Sequence, residues 1–150
     1  MRLTAIIFIL FVLVSCRNKD ESIEEISLVV SDTALAWNVN ADSMIMRRDL
    51  DVPDSAINIS RIINGLNDKY PEVQLVFLKK SGDTAYTKVP NGEHLGNEMG
   101  SAGASAWYAD AVINLTSVKE INYVSFSMDT FSHAGSTIIG RENYKDWKKQ

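Results

Sequence analysis

The chain has 150 residues, a formal net charge of −4, 45% hydrophobic residues, one cysteine and two histidines. This is the composition of a folding chain, and its acidic balance with scattered basic residues excludes the footprint of a nucleic-acid binder. A single cysteine excludes a disulfide framework.

Met1-Arg2 leads into a nearly unbroken apolar stretch from Leu3 to Val14, which ends at Ser15-Cys16 before Arg17-Asn18-Lys19-Asp20-Glu21-Ser22. The stretch falls short of the roughly 20 apolar residues that cross a hydrocarbon core and has the layout of a secretory signal. Leu13-Val14-Ser15-Cys16 resembles the lipobox of bacterial lipoproteins. The resemblance implies that Cys16 carries a diacylglyceryl group, that residues 1–15 are removed as a signal peptide and that residues 16–25 form a tether. A lone thiol in an oxidising compartment has no internal partner, and lipidation gives it a purpose. Two or more acyl chains make such anchoring stable, at about 0.8 kcal/mol per buried methylene. Aspartate after the cysteine would resemble an inner-membrane retention signal; Arg17 stands there instead, so the outer membrane is the favoured location. Lys19-Asp20-Glu21 resembles the short charged signals that send some lipoproteins to the cell surface. Loss of Arg2 with the signal leaves a net charge of −5, and residues 26–150 are expected to form a single α+β domain.

In chain order, residues 26–30 and 33–39 read as strands, the second with Leu35, Trp37 and Val39 alternating with smaller or polar residues. Residues 41–52 show no clear period. From Asp54, the spacing of Ile59, Ile62, Ile63 and Leu66 predicts an amphipathic helix, stopped at Tyr70-Pro71. Residues 73–78 are apolar on both faces and read as a central buried strand, with Thr84 to Val89 as its hairpin partner across Ser81-Gly82-Asp83. Pro90-Asn91-Gly92 is a turn in which Asn91 is placed to cap the next helix. That helix carries Leu95, Met99, Ala102, Ala106, Ala109 and Ile113 as an apolar seam continued by Val112 and Leu115, and Gly100 and Gly103 suggest close packing or an irregular lead-in. Residues 121–128 form a last strand, with Tyr123, Ser125 and Ser127 on one face and Val124, Phe126 and Met128 on the other. The order β-α-β-β-α-β predicts an α+β two-layer fold, a mainly antiparallel sheet with two helices on one face.

The passage Leu115-Thr116-Ser117-Val118-Lys119-Glu120-Ile121-Asn122-Tyr123-Val124-Ser125-Phe126 resembles the closing helix-to-strand passage of GerMN domains, modules of exported bacterial proteins of the cell envelope. Where that family tends to carry Glu-Phe-Pro-Gly, this chain has Ser117-Val118-Lys119-Glu120. The resemblance implies an envelope module and brings no catalytic mechanism.

Candidate chemistry is sparse. His94 and Glu98, four residues apart, would share a helix face and could offer two metal ligands, with His133 as a third, but nothing in the sequence brings His133 there. Met99-Gly100-Ser101-Ala102-Gly103 misses the nucleophile-elbow register by one, and Asp129, His133 and Ser136 have the residue types of a triad without its usual spread. No phosphate loop is present and no cofactor is expected. Asp32-Thr33, Asp42-Ser43, Asp54-Ser55 and Asp83-Thr84, each followed by an apolar residue, resemble acceptors of a periplasmic O-glycosylation system. Past residue 128, Phe131, Ile138, Ile139, Tyr144 and Trp147 exceed the apolar content of a simple tail. Either they dock on the sheet, or Phe131, His133, Arg141 and Tyr144 form a contact patch. The expected function is non-catalytic binding or assembly at the envelope, with the membrane and a protein or peptidoglycan as partners. The alternative is a small hydrolase or metal-dependent enzyme using His133 or His94 and Glu98.

Overall fold

The computed structural model describes residues 32–128 and 136–150. The signal segment, Cys16, the strand expected over residues 26–30, Phe131 and His133 lie outside the described residues.

The described chain is α+β: β1 (Trp37–Asn40), β2 (Ile45–Arg48), α1 (Ile59–Lys69), β3 (Val76–Ser81), β4 (Thr84–Val89), α2 (Gly100–Leu115), β5 (Tyr123–Met128), β6 (Thr137–Gly140) and β7 (Lys148–Lys149). A four-stranded sheet runs β3-β4-β5-β6 and a three-stranded one β1-β2-β7. Pairing is antiparallel except for β4 with β5 and β2 with β7. The parallel β4–β5 pair follows from connectivity, because the chain between them crosses through α2 and must return in the same direction.

Several elements arise as the local pattern predicts. In α1 the Asn58 side chain accepts from the Arg61 N–H at 3.0 Å, Ile62, Ile63 and Leu66 are buried, and the helix closes on Tyr70 before the proline. β4 spans its expected residues, and Gly82 turns the hairpin with φ +60. In β5, Val124 and Phe126 point into the core while Tyr123 is exposed.

Four expectations are corrected. The expected single sheet is two, because the aperiodic 41–52 segment contains β2 and residues past 136 supply β6 and β7. The strand after α1 is not central: β3 is an edge, with Val76 41% and Leu78 54% exposed, and only the lead-in residues Val73 and Leu75 are buried. An apolar run reports that a segment can be buried, not that it has a neighbour on both sides; Lys79 and Lys80 are the charges expected on an unpaired edge. Gly100 serves the irregular lead-in rather than a close approach, since no described residue comes within 4 Å of an added Cβ; it supplies φ +66 between a π-helical turn at His94–Glu98 and α2. Asn91 does not cap a helix and instead donates to the Glu72 carbonyl at 3.0 Å.

The α2 seam includes Val112 and Leu115 as expected and is widened beyond the prediction by Trp107 and Ala111. Trp107, Ala111, Val112 and Leu115 join α1, Val89, Val124 and Phe126 in the main core, while Ala109 and Ile113 turn to Met46, with Trp37, Val39, Tyr144 and Trp147 packed around them. Apolar on both sides, the helix has a sheet to cover each. Two polar residues survive inside it. Asn114 accepts from the Trp37 N–H at 2.8 Å and donates to the Trp37 carbonyl at 3.1 Å, pairing with β1 as a neighbouring strand would. Asp110, 1% exposed, accepts through Oδ2 from Lys69 Nζ and from the Tyr70 hydroxyl, which ties α2 to the end of α1. Its Oδ1 and the Trp107 Nε1 have no partner among the described residues.

Two predictions follow from this packing. A Cβ on Gly65 would lie 2.3 Å from the Thr33 carbonyl oxygen and 2.8 Å from Leu35 Cδ2. Helix propensity alone favours alanine over glycine by about 1 kcal/mol, whereas overpacking costs about 1–3 kcal/mol, so Gly65→Ala should lower stability in urea denaturation. A more stable variant would refute the close approach. The second concerns Asp110, whose pKa burial raises above the ordinary carboxylate value, outweighing the opposite effects of Lys69 and Tyr70. The folded state then holds the proton more tightly than the unfolded one. The contribution of Asp110 to stability is full below the ordinary carboxylate pKa and is lost as pH rises through the raised value. Urea midpoints against pH for wild type and Asp110→Asn should diverge across that acidic window, wild type gaining relative stability towards low pH. Parallel profiles would contradict it.

Candidate functional site

Where the C-terminal end of α2 meets β1 and the β6 exit, the surface opens into a cleft of about 480 Å³ lined by Trp37, Ile57, Thr116, Ser117, Lys119 and Arg141, together with the Arg48–Asp54 pair. Each wall is set by a different element. Trp37 is placed by the Asn114 amide, which fixes both of its backbone groups. Thr116 and Ser117 follow the last turn of α2 and donate back to the Val112 carbonyl at 2.6 Å and the Ile113 carbonyl at 2.8 Å. Arg48 donates to the carbonyls of Ala36, Asp49 and Val52 and to Asp54 Oδ1, the last at 2.9 Å, so its guanidinium gathers the loop after β2. This satisfies a loop that has little secondary structure of its own.

Arg141 holds the cleft together. Its guanidinium donates to the Ile113 carbonyl and lies 3.3 Å from both Thr116 Oγ1 and Ser117 Oγ, and its Cζ is 5.1 Å from the Trp37 ring centroid. A cation on the terminal carbonyls of a helix complements the negative end of the dipole, and its flat face suits an indole ring. Burial pulls the Arg141 pKa below its ordinary value.

The other expected contact residues are dispersed. The Tyr144 ring stands perpendicular to Trp147 at 5.2 Å and packs between the two cores; burial first, and Tyr108 second, push its hydroxyl up to about 12. Trp147 and Ile139 are also packed, whereas Ile138 is 57% exposed on the outer face of β6. Residues 136–150 are thus largely docked, and the fate of Phe131 and His133 lies outside the described residues. His94 and Glu98 do share a face: His94 Nδ1 meets Glu98 Oε2 at 3.0 Å, forming a local pair on the π-helical turn. Among the described residues no three His, Cys, Asp or Glu side chains converge as metal ligands, and no helix is long and apolar enough to cross a membrane. Of the hydroxyls in acceptor-like triplets, Ser43 and Ser55 are exposed and Thr84 begins β4.

The sequence reading included Arg141 but missed Trp37, Lys119 and Arg48 as its companions. Trp37 carried a signal only as an alternating strand residue. Lys119 lay within the GerMN-like passage, and Arg48 in a segment without period.

Arg141→Ala should lower stability by about 2–4 kcal/mol, the sum of a charged hydrogen bond, a helix-end cation and a cation–π contact. Arg141→Lys should recover only part of this, because an ammonium cannot stack flat on Trp37 while reaching Ile113. Thermal denaturation of both variants checks the order, and full recovery by lysine would deny the stacking its role.

Comparison with protein-family models finds no match for this chain, and searches of curated proteins and of solved structures likewise find none.

Proposed function

We propose that this chain is a lipid-anchored protein of the bacterial envelope, outer membrane favoured, whose folded part binds a protein or cell-wall partner through the Trp37–Arg141 cleft. The observation that carries the reading is the pre-organisation of that cleft. Trp37, Arg48 and Arg141 are each held from behind by hydrogen bonds or stacking, so a partner meets side chains already ordered. Binding to such a surface avoids about 0.5–1.5 kcal/mol per side chain that would otherwise need to be immobilised. The lipobox-like Leu13-Val14-Ser15-Cys16 supplies the anchor. The GerMN resemblance gains support at one position: Glu120 has φ +66 where those domains tend to carry glycine, a conformation that costs a side-chain-bearing residue roughly 1–2 kcal/mol. Its carboxylate meets Lys80 Nζ at 3.1 Å on the β3 edge.

Two measurements test the reading. Wild-type protein should pellet with membranes and show a lipid-modified Cys16 at its mature N-terminus, and Cys16→Ala should fractionate as a soluble species; unchanged fractionation would sink the anchor. In intact cells, a photo-crosslinking residue at position 119 should yield a discrete adduct, whereas one at the exposed Asp68 on α1 should not. Equal adducts from both positions, or none from 119, would count against the cleft as the binding surface.

A further inference from the structure

We infer that the Trp37 cleft takes a carboxylate carried on an apolar body, the chemistry of a peptide C-terminus that ends in a hydrophobic residue. The inference deepens the binding role proposed above and rests on it. Its first ground is charge. Arg48, Lys119 and Arg141 face the cleft against one carboxylate, Asp54, in a chain whose net charge is −4. Arg48 and Asp54 neutralise each other at 2.9 Å. Among the described residues no carboxylate pairs with Arg141, whose cationic charge is opposed by the end of α2, equivalent to roughly half a unit charge. Lys119 is exposed and has no ion-pair partner among the described residues. The surplus therefore lies between one and two units, which suits a monovalent carboxylate better than a phosphate dianion.

Donor geometry is the second ground. The Arg48 terminal nitrogens are committed to three carbonyls and Asp54, and the Thr116 and Ser117 hydroxyls donate to α2 carbonyls. On Arg141, Nη1 is occupied at Ile113, while the only hydrogen-bond partner of Nη2 among the described residues is the Met46 Sδ at 3.6 Å, a weak acceptor. The Lys119 ammonium remains for an incoming anion, with the Arg141 guanidinium as a second cation lining the same cleft. The third ground is the apolar wall. Ile57 and the half-buried Trp37 ring line the same cleft, and its volume admits a side chain alongside the charged group. Burial of Arg141 with no anionic partner among the described residues supports the same conclusion, since an anion would favour its charged form.

The test uses the exported, processed chain in detergent and follows amide and indole nitrogen-bound protons by NMR during titration with N-acetyl-leucine. Saturable shifts should appear at Trp37, Ser117 and Lys119 with a Kd of roughly millimolar, as expected for so small a ligand. N-acetyl-leucinamide, which lacks the charge, should give none. Lys119→Glu, at an exposed position, should keep the wild-type spectrum elsewhere and weaken N-acetyl-leucine at least tenfold. Shifts that are absent, equal for the amide, or indifferent to Lys119→Glu would overturn the inference. Tighter binding of phenyl phosphate than of N-acetyl-leucine would also overturn it, in favour of a phosphate ligand. If the probes fail while the crosslink from position 119 persists, the cleft binds something of different chemistry and only this inference falls.

Discussion

The two-point bond between the Asn114 amide and the backbone of Trp37 is the constraint on which the arrangement turns. A side chain from the last turn of α2 takes the place of a strand, giving β1 the donor and acceptor that its outer edge would otherwise present to solvent. Both groups are ordinary in strength, about 0.5–1.5 kcal/mol each, but their placement decides where the smaller sheet sits relative to the helix. Because Trp37 is fixed there, Arg141 can stack on its ring while reaching the α2 carbonyls, and the cleft acquires a rigid wall.

The helix at the centre works under opposite demands. Facing two sheets, α2 must be apolar around most of its circumference, yet it also carries the polar contacts that set its depth and rotation. Asp110 and Asn114, one turn apart, meet these demands in different directions. The first ties α2 to Lys69 and Tyr70 of the α1 exit, the second to β1. Around Trp107 the rings of Tyr108 and Phe126 lie 5.2 and 5.5 Å away, close enough that rotation of the helix would break favourable edge contacts. Such buried polar groups fix orientation where a purely apolar helix could slide.

What the sequence could disclose follows from how local each signal is. α1, β4 and β5 carry their evidence in their own periodicity and were readable from it. β7 is Lys148–Lys149, two charged residues whose strand state comes entirely from hydrogen bonds such as Lys148 N–H to the Met44 carbonyl at 2.9 Å. No local pattern encodes that. β3 was misplaced because hydrophobicity does not reveal whether a second neighbour exists. At the candidate site, Arg141 stood out as a cation among apolar residues, but its partners come from two distant segments, the end of α2 and, 95 positions away in the case of Met46, the first two strands. Asn114 and Asp110 were the clue available in advance: polar residues four apart inside a helix otherwise apolar on every side, a departure that asks what they bond to.

The pairing of β2 with β7 joins residues separated by more than a hundred positions, as in the contact of Arg47 with Gln150 across 103 residues. Contacts at that separation carry the largest loop-closure entropy and form late. During synthesis, residues 36 to 126, which supply the buried residues of the main core, emerge before the third strand of the small sheet. Trp37 and Arg141 therefore come together only near the end of chain synthesis, and the cleft is completed after most of the core residues are in place. A chain halted before residue 141 would hold most of its core residues beside an unfinished cleft.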